Sequence, residues 1–232
     1  MYFLSADYMV FTSENKAVKT KAMDARRKDL QKKLLYLHKC MYDEVQKLGL
    51  GCHENEQFIT TRITPSPKTG QYNTWLLVRY GKTATELAPF KDIKECGFTK
   101  HACLQFGLFE GKGFCIDLFL GRKDGFDRLK IDKTIRKNRA VIEAEIEKLK
   151  GYGLQWEITG CEPFVIDTMP ASEFCNWLLA NDSKGEESFL TIPYGILDEN
   201  LTTKQIAVEI LSKLRLLLPL YNALTQRRTS GH

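Results

Sequence analysis

The sequence predicts an α+β fold: a single domain built on a central antiparallel or mixed sheet, with long helices packed near both termini. Three observations carry this. Residues 98–121 alternate apolar and polar on either side of a Gly-Lys-Gly turn, the pattern of a β-hairpin. Apolar residues recur at spacings of three and four over 24–48 and again from Thr203 onward, the stripe of an amphipathic helix. Strands and helices do not alternate as βα units, which argues against a Rossmann fold or a barrel.

The hairpin sets the register. Ala102, Leu104, Phe106 and Leu108 share one face of its first strand, over 101–109. Phe114, Ile116, Leu118 and Leu120 share one face of the second, over 114–120. A three-residue turn from Gly111 to Gly113 pairs Phe106 with Leu118 and buries one side. That register needs a positive φ just before the second strand, and Gly113 supplies it.

In chain order, residues 2–12 read as a short apolar strand and 14–21 as a polar, basic arm. The helix over 24–48 carries Leu30, Leu34, Leu37, Met41, Val45 and Leu48 in its stripe. Asp24 reads as its N-cap and Gly49 as its stop. Its outer face holds Arg26, Arg27, Lys28, Lys32 and Lys33. Strands follow at 58–64 and 74–80, joined by a loop from Pro65 to Asn73 whose prolines and glycine forbid regular structure. After the hairpin, 121–129 is a charged connection. Asp132 caps a helix to about residue 150 with the stripe Ile135, Arg139, Ile142, Ile146 and Leu149. Strands at 154–159, 164–167 and 188–192 surround a short helix at 170–181. The closing helix opens on the Thr202/Gln205 capping-box pattern and carries Ile206, Ile210, Leu214 and Leu217. Pro219 kinks or ends it. Thr229 to His232 reads as a tag remnant, leaving 1–228 as the domain. The natural chain can then continue past Arg228 in a longer protein.

Composition is that of a globular protein. No apolar run reaches the length that spans a bilayer, so no membrane partner is expected. Seven cysteines without a C-x-x-C pair argue for reduced thiols, no disulfide, no zinc and a cytoplasmic setting. A net charge of +5 is shared by many ordinary enzymes and by itself selects no partner.

The candidate chemistry is sparse. His38, Cys40, Cys52 and His53 form the nearest approach to a metal cluster, but His38 and Cys40 sit two apart on a helix and diverge. No metal and no cofactor are expected. Asp92 with Glu110 and Lys112 has the residue types of a Mg²⁺ nuclease, yet turn chemistry accounts for Glu110 and Lys112. The second face of the hairpin carries His101, Gln105 and Asp117, with Gly107 opposite Asp117. One reading makes this a pocket where something approaches the sheet. The other covers it with a helix and uses Asp117 and Gln105 to satisfy backbone groups.

The remaining signal is cationic. Arg62, Lys68, Arg79 and Lys82 flank the proline loop, interleaved with Tyr72, Trp75 and Tyr80. Cations for phosphates with aromatics for bases is a common way to hold nucleic acid. A further basic group runs from Arg122 to Arg139, and acids accompany both it and the first helix.

Three stretches also resemble the YktB-like group of small bacterial proteins. They are Thr61-Arg62-Ile63-Thr64-Pro65, Asn73-Thr74-Trp75 and Leu104-Gln105-Phe106-Gly107-Leu108-Phe109. Asp167-Thr168-Met169-Pro170 and Leu218-Pro219-Leu220-Tyr221 are similar to that family's ending. The family carries two histidines where this chain has Thr60, Thr61 and Arg62, and it has no established activity, so the resemblance implies a fold and no chemistry. The Leu-Pro-Leu-Tyr tail is also similar to domains that precede the motor of modification-dependent restriction systems. The leading expectation is a nucleic-acid-binding module, DNA more than RNA, that targets a larger defence or restriction protein. A Mg²⁺-dependent nuclease or other phosphoester hydrolase using Asp117 is one alternative, and a protein-interaction domain is another.

Overall fold

The computed structural model describes residues 1–51, 63–90 and 100–227. The fold class is α+β, and the sheet is antiparallel with six strands in the order β1-β2-β3-β6-β4-β5. These are β1 (Trp75–Tyr80), β2 (Cys103–Phe109), β3 (Gly113–Arg122), β4 (Gln155–Ile158), β5 (Phe164–Val165) and β6 (Glu187–Tyr194). The longer helices are α2 (Lys21–Lys47), α5 (Ile131–Lys148), α6 (Ala171–Asn181) and α7 (Ile206–Thr225). Single turns form α1 (Ser5–Tyr8), α3 (Ala84–Leu87) and α4 (Phe126–Leu129). The expected strand at 58–64 falls mostly outside the described residues.

The hairpin forms as β2 and β3, and Gly113 has φ 78°. Its second face, left open by the sequence between a pocket and a covered surface, is buried. Cys103 to Leu108 and Phe114 to Leu120 are all buried, so both faces of the hairpin are covered.

The chain packs as two units, each drawn from three stretches. The first unit holds residues 1–80, 105–116 and 193–213. Here α2 packs on β1 and buries Leu30, Leu34, Leu37, Met41 and Val45. Its N-cap is Thr20, whose side chain accepts from Met23 N; Asp24 lies inside the first turn. Gly49, at φ 72°, ends the helix and donates its N–H to Gln46 O. Residues 2–12 hold a helical turn instead of a strand. The Asp7 carboxylate accepts from Leu4 N at 2.8 Å and from Lys33 Nζ at 2.5 Å, which closes the turn locally. Phe3 is buried with its ring 5.4 Å from Phe114. Gly107 is required by close approach: a Cβ there would lie 2.1 Å from Leu76 O. What approaches the sheet at that glycine is the neighbouring strand.

The second unit holds 81–104, 117–192 and 214–232. β4 pairs antiparallel with β5 and β6, placing Trp156 opposite Phe164 and Leu190. Trp156 is fully buried, donates Nε1–H to Ser188 Oγ at 2.8 Å, and meets Phe174 at 5.2 Å between ring centres. α5 packs on α6. α5 starts at Ile131 without a side-chain cap; Asp132 sits in its first turn and pairs with Arg136 at 3.0 Å. Pro219 lies inside α7, which runs on to Thr225. Pro219 and Arg215 are both exposed, so water can solvate the carbonyl that loses its helical donor.

Candidate nucleic-acid interface

The first unit ties its basic arm to the proline loop through one buried arginine. By spacing, Arg27 extends the apolar stripe of α2 one turn toward the N-terminus, and it is 0% exposed. Its Nη1 donates to Val18 O at 2.9 Å and Asp24 Oδ1 at 3.0 Å, and its Nη2 to Asn15 O at 2.8 Å. Its guanidinium carbon lies 3.4 Å from the centre of the Tyr72 ring. Tyr72 Oη donates to Asp24 Oδ1 at 2.6 Å, and Tyr72 N donates to Lys16 O at 2.8 Å. The bond from Tyr72, then the charge and bonds of Arg27, hold the Asp24 carboxyl below its usual range; that same bond raises the Tyr72 phenol.

The loop is itself closed by Ser66 N donating to Gln71 O and Gly70 N to Ser66 O, both at 2.7 Å. Gly70 faces the arm closely enough that its Cβ would lie 3.4 Å from Lys19 Nζ. The arm flows through Thr20 into α2. Lys19, Lys21, Arg26, Lys28, Lys32 and Lys68 are all exposed around this junction. Exposed acids among them are Glu14 and Asp29, the latter 3.4 Å from Lys32 Nζ. Glu110 accepts from Ser13 N, and the Ser13 hydroxyl first, then this N–H, hold its carboxyl below the usual range.

The residues expected to flank the loop have different surroundings. Arg62 lies outside the described residues. Lys68 is exposed. Tyr72 is 8% exposed and serves the arm–loop tie, not an open stacking surface. Trp75 is half-buried with the buried Arg79 5.2 Å from its ring centre. Tyr80 is 0% exposed and meets His38 Nδ1 at 3.0 Å. That contact also takes His38 away from Cys40, which is exposed, while Cys52 and His53 lie outside the described residues.

Lys82 belongs to the second unit, with a cluster of its own. Its Nζ donates to Asp127 Oδ1 at 2.7 Å and lies 3.0 Å from His101 Nδ1. Asp127 Oδ2 accepts from Ala102 N at 2.8 Å and is 3.6 Å from His101 Nδ1. His101 is sandwiched by Phe90 at 4.7 Å and Phe126 at 5.3 Å. Gln105 and Asp117 are buried at 3% and 2% exposure. His101 is buried as well, at 0% exposure. Among the described residues, no group of three or more His, Cys, Asp or Glu could hold a metal ion. Asp92 lies outside them.

The sequence reading missed Arg27 and Arg128 as buried groups. The signal for Arg27 was present, since 27, 30, 34, 37, 41 and 45 continue one stripe. Arg128 lies in a single helical turn too short to show a period. It donates Nε to Asp182 Oδ1 at 2.9 Å, Nη1 to Glu186 O at 2.9 Å and Gly121 O at 3.2 Å, and Nη2 to Gly185 O at 3.0 Å and to Asp182 O. It thus leaves the basic group of 122–139. Compared with known proteins, the chain matches no family model and no curated protein sequence.

Proposed function

We propose that this protein is a nucleic-acid-binding module whose contact surface is the junction of the basic arm, the first turns of α2 and the proline loop. The observation that supports this is the hydrogen bond from Tyr72 N to Lys16 O, buttressed by Arg27. It holds three cationic stretches of sequence beside one another, with Lys19 against Gly70 and Lys68 two residues away. Cations fixed in this way neutralise neighbouring phosphates and release condensed counterions. Tyr80, Arg79 and Lys82 drop out of the contact set because they are buried or paired, and the exposed lysines take their place.

Fluorescence anisotropy with DNA over a salt series tests the reading. Affinity is expected to fall steeply with salt, by about 0.9 log unit per log unit of salt for each phosphate neutralised. Lys19→Ala and Lys68→Ala should each weaken binding and flatten that slope by about one unit. Wild-type binding that neither variant alters would move the contact elsewhere. No binding at low salt would sink the reading and favour a protein-interaction domain.

A further inference from the structure

We infer that this surface binds the backbone of duplex DNA, without base stacking and without sequence preference; the inference rests on the nucleic-acid reading above. Single-strand binding combines cations with aromatic side chains on which bases stack. The described aromatics beside the loop are otherwise engaged. Tyr72 lies under Arg27 and donates to Asp24, Trp75 carries Arg79, and Tyr80 is buried against His38. Two of the described arginines are committed in the same way. Arg27 and Arg79, whose planar forks could grip a base edge or stack on one, are buried on Tyr72 and Trp75.

Among the described residues, the junction leaves exposed Lys19, Lys21, Lys28, Lys32 and Lys68, with Arg26. Lysine is a hydrated point charge on a flexible stem, suited to a phosphate and poorly suited to reading an edge. An array of point charges without stacking gains most from the polymer of highest charge density, which is the duplex. Two exposed aromatics of α2, Tyr36 and Tyr42, could oppose this, and Tyr36 is the nearer to the junction along the helix. Tyr36, 61% exposed on α2 between Lys32 and Lys39, is the residue a stacking mode would use.

The experiment is a direct comparison of a mixed-sequence DNA duplex, an oligo(dT) of equal length and the same duplex with scrambled sequence, each against wild type and Tyr36→Ala. The duplex is expected to bind at least about tenfold more tightly than oligo(dT) at low salt, as its higher charge density requires. The scrambled duplex should bind within about twofold, and Tyr36→Ala should bind duplex as wild type does. Oligo(dT) bound as tightly as duplex, or a loss of binding in Tyr36→Ala with the fold intact by circular dichroism, overturns the inference and leaves the nucleic-acid reading standing. Failure of all three probes to bind overturns that reading instead.

Discussion

Arg27, Arg79 and Arg128 are buried, and each directs its guanidinium onto groups of its own unit. A buried cation is tolerated only where its donors are matched, and Arg128 meets this with one carboxylate and four backbone carbonyl contacts. The Lys82–Asp127 pair follows the same rule, at 13% and 7% side-chain exposure. Burial works against ionisation of Asp127, but the His101 ring, the Lys82 ammonium and the Ala102 N–H outweigh it and hold the carboxyl below its usual range. A depressed folded-state pKa stabilises the fold above the unfolded value, and that contribution is lost as pH falls through the folded value. Asp127→Asn is therefore expected to cost about 3 kcal/mol at neutral pH by stranding the buried ammonium. It should also lessen the loss of stability below about pH 4. Urea titrations at neutral and acid pH read both effects. Identical midpoints for variant and wild type at neutral pH would show that the pair adds nothing.

Among the elements, β2 shows how a glycine can be fixed by its neighbours. A Cβ at Gly107 would meet Leu76 O at 2.1 Å, whereas Gly111, at φ 73° in the turn, has nothing within 4 Å. Gly107→Ala is expected to destabilise by more than about 3 kcal/mol or to prevent folding, because β1 must move. Gly111→Ala should cost about 1–2 kcal/mol, the penalty of a left-handed backbone alone. Thermal melts of the two variants distinguish them, and equal shifts would refute the close approach. The hairpin, its turn glycine, α2, α5 and α7 were legible in the sequence because period and turn chemistry are local signals. That both hairpin faces are covered was only one of two open readings, since alternation in β2 and β3 is carried by Cys103, Gln105, Cys115 and Asp117, which read as polar or small yet are buried. The candidate site was legible only as a location. Lys68 stayed at the surface, but Tyr72, Arg79 and Tyr80 turned inward through partners 42 to 48 residues away in two cases, Tyr80 on His38 and Tyr72 on Asp24. Separations of that kind leave no trace in a local window.

For the molecule as a whole, β2, β3, β6 and α7 each contribute residues to both units, with changes at 104/105, 116/117, 192/193 and 213/214. A hydrogen-bonded strand or helix cannot keep one half ordered cheaply while the other melts, so unfolding is expected to be a single transition. Trp75 reports on the first unit, and Trp156 and Trp177 on the second. Trp75→Phe leaves only the second pair of reporters, and its fluorescence transition should coincide with the wild-type transition in circular dichroism. Two separated midpoints would disprove the coupling. No described helix is long and apolar enough to cross a membrane.

That interleaving bears on inheritance as well as on melting. Neither unit corresponds to a continuous stretch of coding sequence, so no single crossover between related genes could exchange one and spare the other. The two must diverge together, and a graft of the arm–loop junction onto another scaffold would have to carry residues 1–80 as a block while rebuilding what 105–116 and 193–213 supply.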